Sequence, residues 1–115
     1  MGRIEGHIRL KIKIADTTLG PGKIALLESV LHEGSISGAA RACGMTYRRA
    51  WFLLDTLQKT MQTPLLVTRI GGKNKGGTSL TPLGKKLITL YREAEKQSAE
   101  ITRPLLDTLE KEVSQ

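Results

Sequence analysis

The sequence predicts a mainly α-helical fold with one small β-hairpin, in a single domain of 115 residues. Three patterns support this prediction: two short helices that meet at a sharp turn, a glycine-rich hairpin after them, and a long helix at the C-terminal end. A chain of this length suits one compact domain. Its core must be aliphatic, because the chain has only one Trp, two Tyr and one Phe.

The N-terminal part of the chain is predicted to contain a strand, a turn and a first helix. Apolar and basic residues alternate strictly over residues 8–14, which is typical of a half-buried strand. The basic residues on its open face would discourage edge-to-edge pairing with another strand. A Gly-Pro-Gly run indicates a turn over residues 17–22. A helix follows over about residues 23–32, with Gly34 as its C-terminal stop.

Two further helices, over about residues 36–43 and 46–61, are predicted to meet at a sharp turn. Ser35 and Thr46 are suitable N-caps for them, and Gly44 tolerates the positive φ that such a turn needs. Together these features predict a helix-turn-helix motif; a plain helical hairpin is the alternative interpretation of the motif alone. Small or apolar residues fill the face on which the helices would pack: Ala39, Ala40, Cys43, Met45, Ala50 and Leu53.

A glycine-rich hairpin follows the helix-turn-helix motif, which spans about residues 35–61. Residues 65–70 and 78–80 are predicted strands, and the seven residues between them form a basic loop that contains four glycines. We name this hairpin, over about residues 65–80, the wing. A helix-turn-helix motif with a two-stranded wing defines the winged helix-turn-helix fold, which is therefore the predicted fold class.

A long C-terminal helix is predicted over about residues 82–113. Thr81 and Pro82 are a strong helix start, as a cap followed by proline at the first helical position. Pro104 is expected to kink or restart this helix. Its apolar residues recur at spacings of three and four. The first turns can pack on the third helix, whereas residues 101–113 have no obvious intrachain partner.

The unpartnered part of this stripe predicts a homodimer formed through the long helix. Residues 82–115 carry six basic and six acidic side chains, so net charge does not oppose self-association. A two-fold dimer would bury the stripe and present two recognition helices to one face of DNA. Half-sites should then lie about one helical turn, or an integral number of turns, apart. The candidate interface residues are Leu90, Ile101, Leu105 and Leu109.

Positive charge in the second half of the motif and in the wing favours double-stranded DNA as the partner. Residues 46–81 carry six basic and one acidic side chain, a net charge of +5. The start of the third helix would enter the major groove, where arginine pairs with guanine and aromatic rings contact thymine methyl groups. Trp51 and Phe52 could instead be packed in the core. The candidate DNA-binding residues are Thr46, Tyr47, Arg48, Arg49, Trp51 and Phe52 in the helix, with Arg69, Lys73 and Lys75 in the wing.

Other classes of function are disfavoured by the residues present. An enzyme is not expected, because His7 and His32 are far apart without a paired carboxylate pattern and Cys43 belongs to the predicted core. These residues match no zinc-site spacing. A single cysteine fits a reducing cytoplasm, and no apolar run is long enough to span a membrane.

Two alternatives to DNA binding share the predicted fold. Some winged helices bind proteins without contacting DNA directly, and the long helix must bury its stripe on some surface. An acidic protein partner, however, would not require basic charge in both the helix and the wing. Double-stranded RNA is a weaker alternative, because the A-form major groove is too narrow for a recognition helix.

Several motifs resemble those of the ModE family of molybdate-responsive transcription regulators. They are residues 34–40 (GSISGAA), Tyr47 with Ala50-Trp51, residues 71–73 (GGK) and residues 80–84 (LTPLG). The chain is similar over nearly its whole length to the N-terminal DNA-binding domain of that family. The Ser-capped helix and the Leu-Thr-Pro start are also similar to LysR-type regulators.

The resemblance implies a dimeric bacterial regulator of operons for molybdenum uptake or use. Full-length members of the family also carry a pair of small β-barrels that bind molybdate. The chain ends at Gln115, where the barrels would begin, so we expect no effector-binding domain and no cofactor within it. We therefore assign no molybdate ligands.

Overall fold

A computed structural model of the chain describes residues 3–71 and 77–113. It confirms a mainly α-helical fold with a wing and a long C-terminal helix. Each of the two small sheets is one antiparallel hairpin, β1 with β2 and β3 with β4. The elements in chain order are β1 (Ile12–Ile14), β2 (Thr17–Leu19), α1 (Pro21–Glu33), α2 (Ile36–Ala42), α3 (Tyr47–Met61), β3 (Leu66–Arg69), β4 (Gly77–Leu80) and α4 (Pro82–Val113).

The core lies where α1, α2 and α3 pack against one another. Helix α1 is its centre, and it begins at Pro21 rather than at residue 23, because the fixed φ of proline suits the first helical turn. The helix ends as predicted at Gly34, which has φ +73° and donates its N–H to the carbonyl of Val30 at 2.9 Å. The fully buried core residues of the three helices are Ile24, Leu26, Leu27, Val30, Ala39, Ala40, Ala50, Leu54 and Leu57.

The N-terminal strand is shorter than predicted, and the predicted turn after it is partly strand. Only Ile12–Ile14 forms β1, and it pairs with Thr17–Leu19 in the register Ile12 to Leu19 and Ile14 to Thr17. The chain reverses at Ala15, which adopts φ +53°. The β-branched threonines favour strand over turn, an effect that the Gly-Pro-Gly run after them obscures in the sequence.

Residues 3–10 run along α4 instead of extending β1. The hydroxyl of Tyr91 donates to the carbonyl of Leu10. Near the far end of the helix, Arg103 donates to the carbonyl of Ile4 at 3.0 Å, and the N–H of Ile4 donates to the carboxylate of Glu110 at 3.3 Å. The expectation that residues 101–113 lack an intrachain partner is therefore wrong for this face of the helix.

Helix α4 is continuous through Pro104, so the expectation that it restarts there is wrong. The proline lacks the N–H that would bond to the preceding turn. Thr108 donates to the carbonyl of Pro104 at 3.1 Å, and Arg103 pairs with Asp107 at 3.0 Å across the same turn. These contacts and the packing of the N-terminal segment support the helix around the missing bond.

Helix α4 is joined to α1 by an ion cluster. Arg92 donates to both oxygens of the Glu28 carboxylate, at 3.0 and 2.5 Å, and to Glu95 at 2.7 Å. The hydrogen bonds from Arg92 lower the pKa of Glu28, against the smaller opposing effect of burial. The cluster fixes the start of the long helix against the first helix of the core.

The start of α4 also packs very closely on the first residue of the wing. Thr81 caps the helix as predicted: its hydroxyl accepts from the N–H of Gly84 at 3.1 Å and donates to the carbonyl of Pro64 at 2.9 Å. Gly84 is buried, and a Cβ there would lie 2.5 Å from the carbonyl oxygen of Leu65. A side chain at residue 84 would therefore displace α4 or the wing.

We expect Gly84→Ala to lower the free energy of unfolding by about 1–3 kcal/mol, because the new methyl group overpacks against backbone. Gly22→Ala is the matched control, since a Cβ there meets nothing within 4 Å. That control should change stability by no more than about 1 kcal/mol, and in the stabilising direction. Urea unfolding at one fixed protein concentration measures both. Equal stability of the two variants would contradict the close packing at Gly84.

Glu28→Gln should lower the free energy of unfolding at pH 7 by about 0.2–1 kcal/mol, since both partners of the pair remain partly exposed. The carboxylate has a lowered pKa in the folded state, so its contribution is fully present at pH values above the ordinary pKa of glutamate. It is lost as the pH falls through the lowered pKa. The difference between variant and wild type should therefore shrink in acid. A pH-independent difference would show that the ion pair is not its source.

Candidate nucleic-acid interface

The turn between α2 and α3 has the geometry that the sequence predicts. Gly44 adopts φ +67°, and its N–H donates to the carbonyl of Arg41 at 3.1 Å. The next residue, Met45, donates to the carbonyl of Ala40 at 3.0 Å. Ala40 and Ala50 are buried, so their small side chains lie within the packed core around this turn. The two helices form a helix-turn-helix, and the plain helical hairpin is excluded.

Both helices of the motif begin at the predicted caps. The hydroxyl of Ser35 accepts from the N–H of Gly38 at 2.9 Å, and the hydroxyl of Thr46 accepts from the N–H of Arg49 at 3.1 Å. Thr46 therefore has a structural role in addition to its predicted place in the interface. Its capping bond fixes the first turn of α3, where the candidate base-reading side chains begin.

The surface of α3 divides into one buried stripe and three exposed strips. The buried stripe consists of Ala50, Leu54 and Leu57. With 3.6 residues per turn, residues four apart share a strip and successive residues lie 100° apart. Tyr47 and Trp51 share the strip that faces the wing. Arg48 and Phe52 share the outward strip, and Arg49 and Leu53 share the strip that faces the β1–β2 hairpin.

The aromatic residues of α3 are exposed rather than packed in the core. The exposed fractions are 54% for Tyr47, 48% for Trp51 and 58% for Phe52. Core packing of Trp51 and Phe52 is therefore excluded. Large exposed aromatic side chains are costly unless a partner covers them, so their presence at the start of α3 marks a binding surface.

Gln58 sets the position of the wing relative to α3. Its side-chain carbonyl accepts two hydrogen bonds, from the N–H of Leu65 at 2.9 Å and of Leu66 at 3.0 Å. On the other strand, Thr78 donates its N–H to the carbonyl of Gly34 at 2.8 Å. The role of Gln58 cannot be recognised from the sequence, because an amide acceptor on a half-buried helical face has no sequence pattern of its own.

A groove of about 270 Å³ separates α3 from the wing. Tyr47 and Trp51 line one side of it, and Thr68 and Thr78 of the wing line the other. Ser37 contributes a hydroxyl from the start of α2. The groove lining contains hydroxyl and aromatic groups and no carboxylate, so it would not repel the phosphates of a nucleic-acid backbone. The threonines and the serine were not among the predicted site residues.

Of the three predicted site residues in the wing, Arg69 lies within the described part of the chain. Arg69 is exposed at the end of β3, where it pairs in register with Gly77. Lys73 and Lys75 lie outside the described residues. Ile70, next to Arg69, is 96% exposed. With Val67 at 45% exposure, the described part of the wing has one cation, Arg69, and two large apolar side chains open to solvent.

The apolar stripe of α4 is exposed on the face away from the N-terminal segment. Among the predicted dimer residues, the exposed fractions are 57% for Leu90, 72% for Ile101, 67% for Leu105 and 49% for Leu109. The protein measures 67 Å along its longest axis, with a radius of gyration of 18.1 Å. A compact domain of 100 residues has a radius of about 13 Å. The C-terminal part of α4 accordingly projects from the core.

The described residues contain no group of three or more His, Cys, Asp or Glu side chains that could hold a metal ion. Cys43 is half-buried, with its Sγ 3.3 Å from the hydroxyl of Ser29. No helix in the described ranges is long and apolar enough to cross a membrane.

Several curated relatives of the chain carry the name ModE. A molybdenum transport protein ModE from Azotobacter vinelandii is 41% identical over 85 residues, which are 72% of this chain and 32% of that protein. The transcriptional regulator ModE from Haemophilus influenzae is 37% identical over 78% of this chain and 36% of its own length. The DNA-binding transcriptional dual regulator ModE from Escherichia coli is 33% identical over 76% and 34%. The chain spans about a third of the length of these relatives.

A solved structure shares the fold. The full-length LysR-type regulator LysG from Corynebacterium glutamicum aligns with a TM-score of 0.57 and 21% identity, over 79% of this chain and 29% of that one. Residues 22–85, from the start of α1 to the start of α4, match the family described as bacterial regulatory helix-turn-helix protein, lysR family. The chain therefore belongs to the lysR family of bacterial regulatory helix-turn-helix proteins and is a homologue of the ModE regulators.

Proposed function

We propose that the chain is the DNA-binding part of a bacterial transcription regulator of the ModE type, which binds a specific duplex sequence as a homodimer. One observation supports this most strongly: the start of α3 presents two arginines and three aromatic side chains to solvent. In the described residues, neither Arg48 nor Arg49 forms an ion pair. Exposed aromatic rings are poorly solvated by water, whereas aromatic rings and arginines can both contact base edges in the major groove.

The outward strip of α3 is the part that would read bases. Arg48 lies at its start, where a recognition helix enters the groove, and its guanidinium can pair bidentately with the O6 and N7 atoms of guanine. Phe52, one turn further on, can contact a thymine methyl group. Asp55 and Lys59 pair with each other at 2.9 Å. This pairing makes them weaker candidates for base contact.

The wing would position the protein on the sugar-phosphate backbone. Arg69 would contact phosphate from β3, and we place Lys73 and Lys75 in the same role. The hydroxyl groups of Thr68 and Ser37 in the groove between α3 and the wing can donate to phosphate oxygens. These contacts carry no sequence information, but they fix the depth and register of the recognition helix.

The regulated process is proposed to be molybdenum uptake or use. The support is the names of relatives that are 33–41% identical, several of them ModE regulators. This chain spans about a third of the length of those relatives, so the proposal includes neither the sign of regulation nor a response to molybdate. The regulator would act in the cytoplasm, where its DNA target is located.

The dimer would form through the exposed stripe of α4. Ile101, Leu105 and Leu109 are spaced by four residues, so they line one face of the projecting helix. The opposite face is covered by the N-terminal segment. A contiguous apolar face of this kind is rarely left open to water. A second copy, related by a two-fold axis, would bury it against the same residues of its partner.

Arg48→Ala should cost about 1–3 kcal/mol of binding free energy on the specific duplex and much less on a random duplex. The loss follows from the removal of a bidentate base contact. Arg49→Ala is the matched control, because Arg49 lies on the neighbouring strip and should weaken both duplexes alike. Fluorescence anisotropy with labelled duplexes measures all four affinities. An equal loss for Arg48→Ala on both duplexes would reduce Arg48 to a phosphate contact.

The double substitution Leu105→Glu, Leu109→Glu should convert the dimer to monomer at micromolar concentration, because four carboxylates would face one another across the two-fold axis. Ile70→Glu is the control, since it places one such carboxylate on an exposed apolar residue outside α4. Sedimentation equilibrium distinguishes the two states. If the double variant sediments as the wild type does, α4 is not the interface. A wild type that is monomeric throughout contradicts the dimer itself.

A further inference from the structure

A cleft of about 320 Å³ lies on the side of α3 away from the wing. Arg9 and Lys11 of the N-terminal segment, Lys23 in the first turn of α1 and Arg49 of α3 line it. The apolar part of the lining is formed by Met45, Leu53 and the start of α1. We name this feature the cationic cleft. It joins three parts of the chain that are separate in sequence.

The charges of the cationic cleft are not neutralised within the described residues. No acidic side chain lines the cleft, and none of its four cations takes part in an ion pair there. Lys23 donates to the carbonyl of Thr18 at 2.6 Å, which orients its ammonium group but leaves its charge uncompensated. Four cations in one concave surface repel one another, and a bound polyanion relieves that repulsion.

Protection of a strand edge does not account for Arg9 and Lys11. Basic side chains on an edge strand discourage pairing, but β1 begins only at Ile12. Arg9 and Lys11 precede it and are exposed. Edge protection therefore does not explain the positive charge at residues 9 and 11, whereas an anionic partner in the cleft would.

The cleft and the wing lie on opposite sides of the recognition helix. Tyr47 and Trp51 face the wing groove, whereas Arg49 and Leu53 face the cleft. The two strips are separated by about 200° around the helix axis, at 100° per residue. The outward strip with Arg48 lies between them. A helix in the major groove is likewise flanked on both sides by a phosphate backbone, across a groove about 12 Å wide.

We propose that the cationic cleft binds the phosphate backbone on the side of the major groove opposite to the backbone that the wing contacts. This inference rests on the proposed function, because it assumes that α3 enters the groove. Arg49 then belongs to the backbone contact, and base reading falls to Arg48 and its neighbours on the outward strip. The N-terminal segment extends the DNA-binding surface beyond the helix-turn-helix and the wing.

The test is the salt dependence of binding for the double variant Arg9→Gln, Lys11→Gln. Both residues are exposed, so the fold should be kept. Binding to specific and random duplexes should weaken alike. The slope of log K against log salt should become shallower by about 0.9 for each lost phosphate contact in each protomer. Lys96→Gln, Lys111→Gln is the matched control, with the same loss of charge from exposed residues of α4, and should keep the wild-type slope.

The double variant Arg9→Lys, Lys11→Arg keeps both positive charges and changes only the shapes of the side chains. It should retain the wild-type slope, because phosphate contact requires positive charge at these positions. Ethylation interference gives an independent measurement: wild type should contact phosphates flanking both sides of the groove, and the glutamine variant should show weaker interference on the cleft side only.

The outcomes distinguish this inference from the proposed function. If the wild type binds duplexes but the glutamine variant keeps the wild-type slope and interference pattern, the cleft does not contact DNA and the inference is wrong. The same conclusion follows if the α4 control shifts the slope equally. If the wild type binds no duplex at all, the proposed function fails, and the cleft proposal fails with it.

Discussion

The interface depends on how α3 is held in the core. Ala50, Leu54 and Leu57 bury one stripe of the helix, and Gly44 lets α2 turn sharply into it. Leu53 and Met61 pack against the edge of this core, so the surface of α3 left open to a partner is chiefly that of its first two turns. A second buried stripe would have removed either the groove beside the wing or the cleft beside the β1–β2 hairpin.

The elements around α3 are fixed by polar contacts at well-defined points. Gln58 accepts from the first residues of the wing, and Gly34 accepts from Thr78 on its second strand. On the other side, Tyr91 of α4 donates to Leu10 and so holds the N-terminal segment in place. Hydrogen bonds thus tie the wing to α3 and to the end of α1, and the N-terminal segment to α4.

Much of this arrangement is readable from the sequence because it depends on local chemistry. Ser35, Gly44, Thr46 and Thr81 mark helix boundaries through capping bonds and positive φ, and the structure places each boundary at or next to the expected residue. The sequence does not decide whether Trp51 and Phe52 are exposed, because a large aromatic side chain on a helix suits either a core or a binding surface.

The features that the sequence missed are non-local. The β1–β2 hairpin depends on a turn at Ala15, a residue with no turn preference. The Gly-Pro-Gly run that follows is a strong turn signal, and it extends the predicted turn over the residues that form β2. Packing of Ile4 and Gly6 along α4 joins residues about a hundred positions apart. The cationic cleft gathers residues 9, 11, 23 and 49, and only its alternating basic residues near the N-terminus gave any signal.

The central claim is that this chain recognises a specific duplex sequence as a two-fold dimer, and selection from a random duplex library tests it most directly. The wild-type protein is incubated with the library at moderate salt, and the retained duplexes are sequenced over several rounds. If the chain binds as a two-fold dimer, an inverted repeat should be enriched, with half-site centres about one helical turn or an integral number of turns apart. Retention of no duplexes, or of duplexes without any enriched sequence, would contradict it.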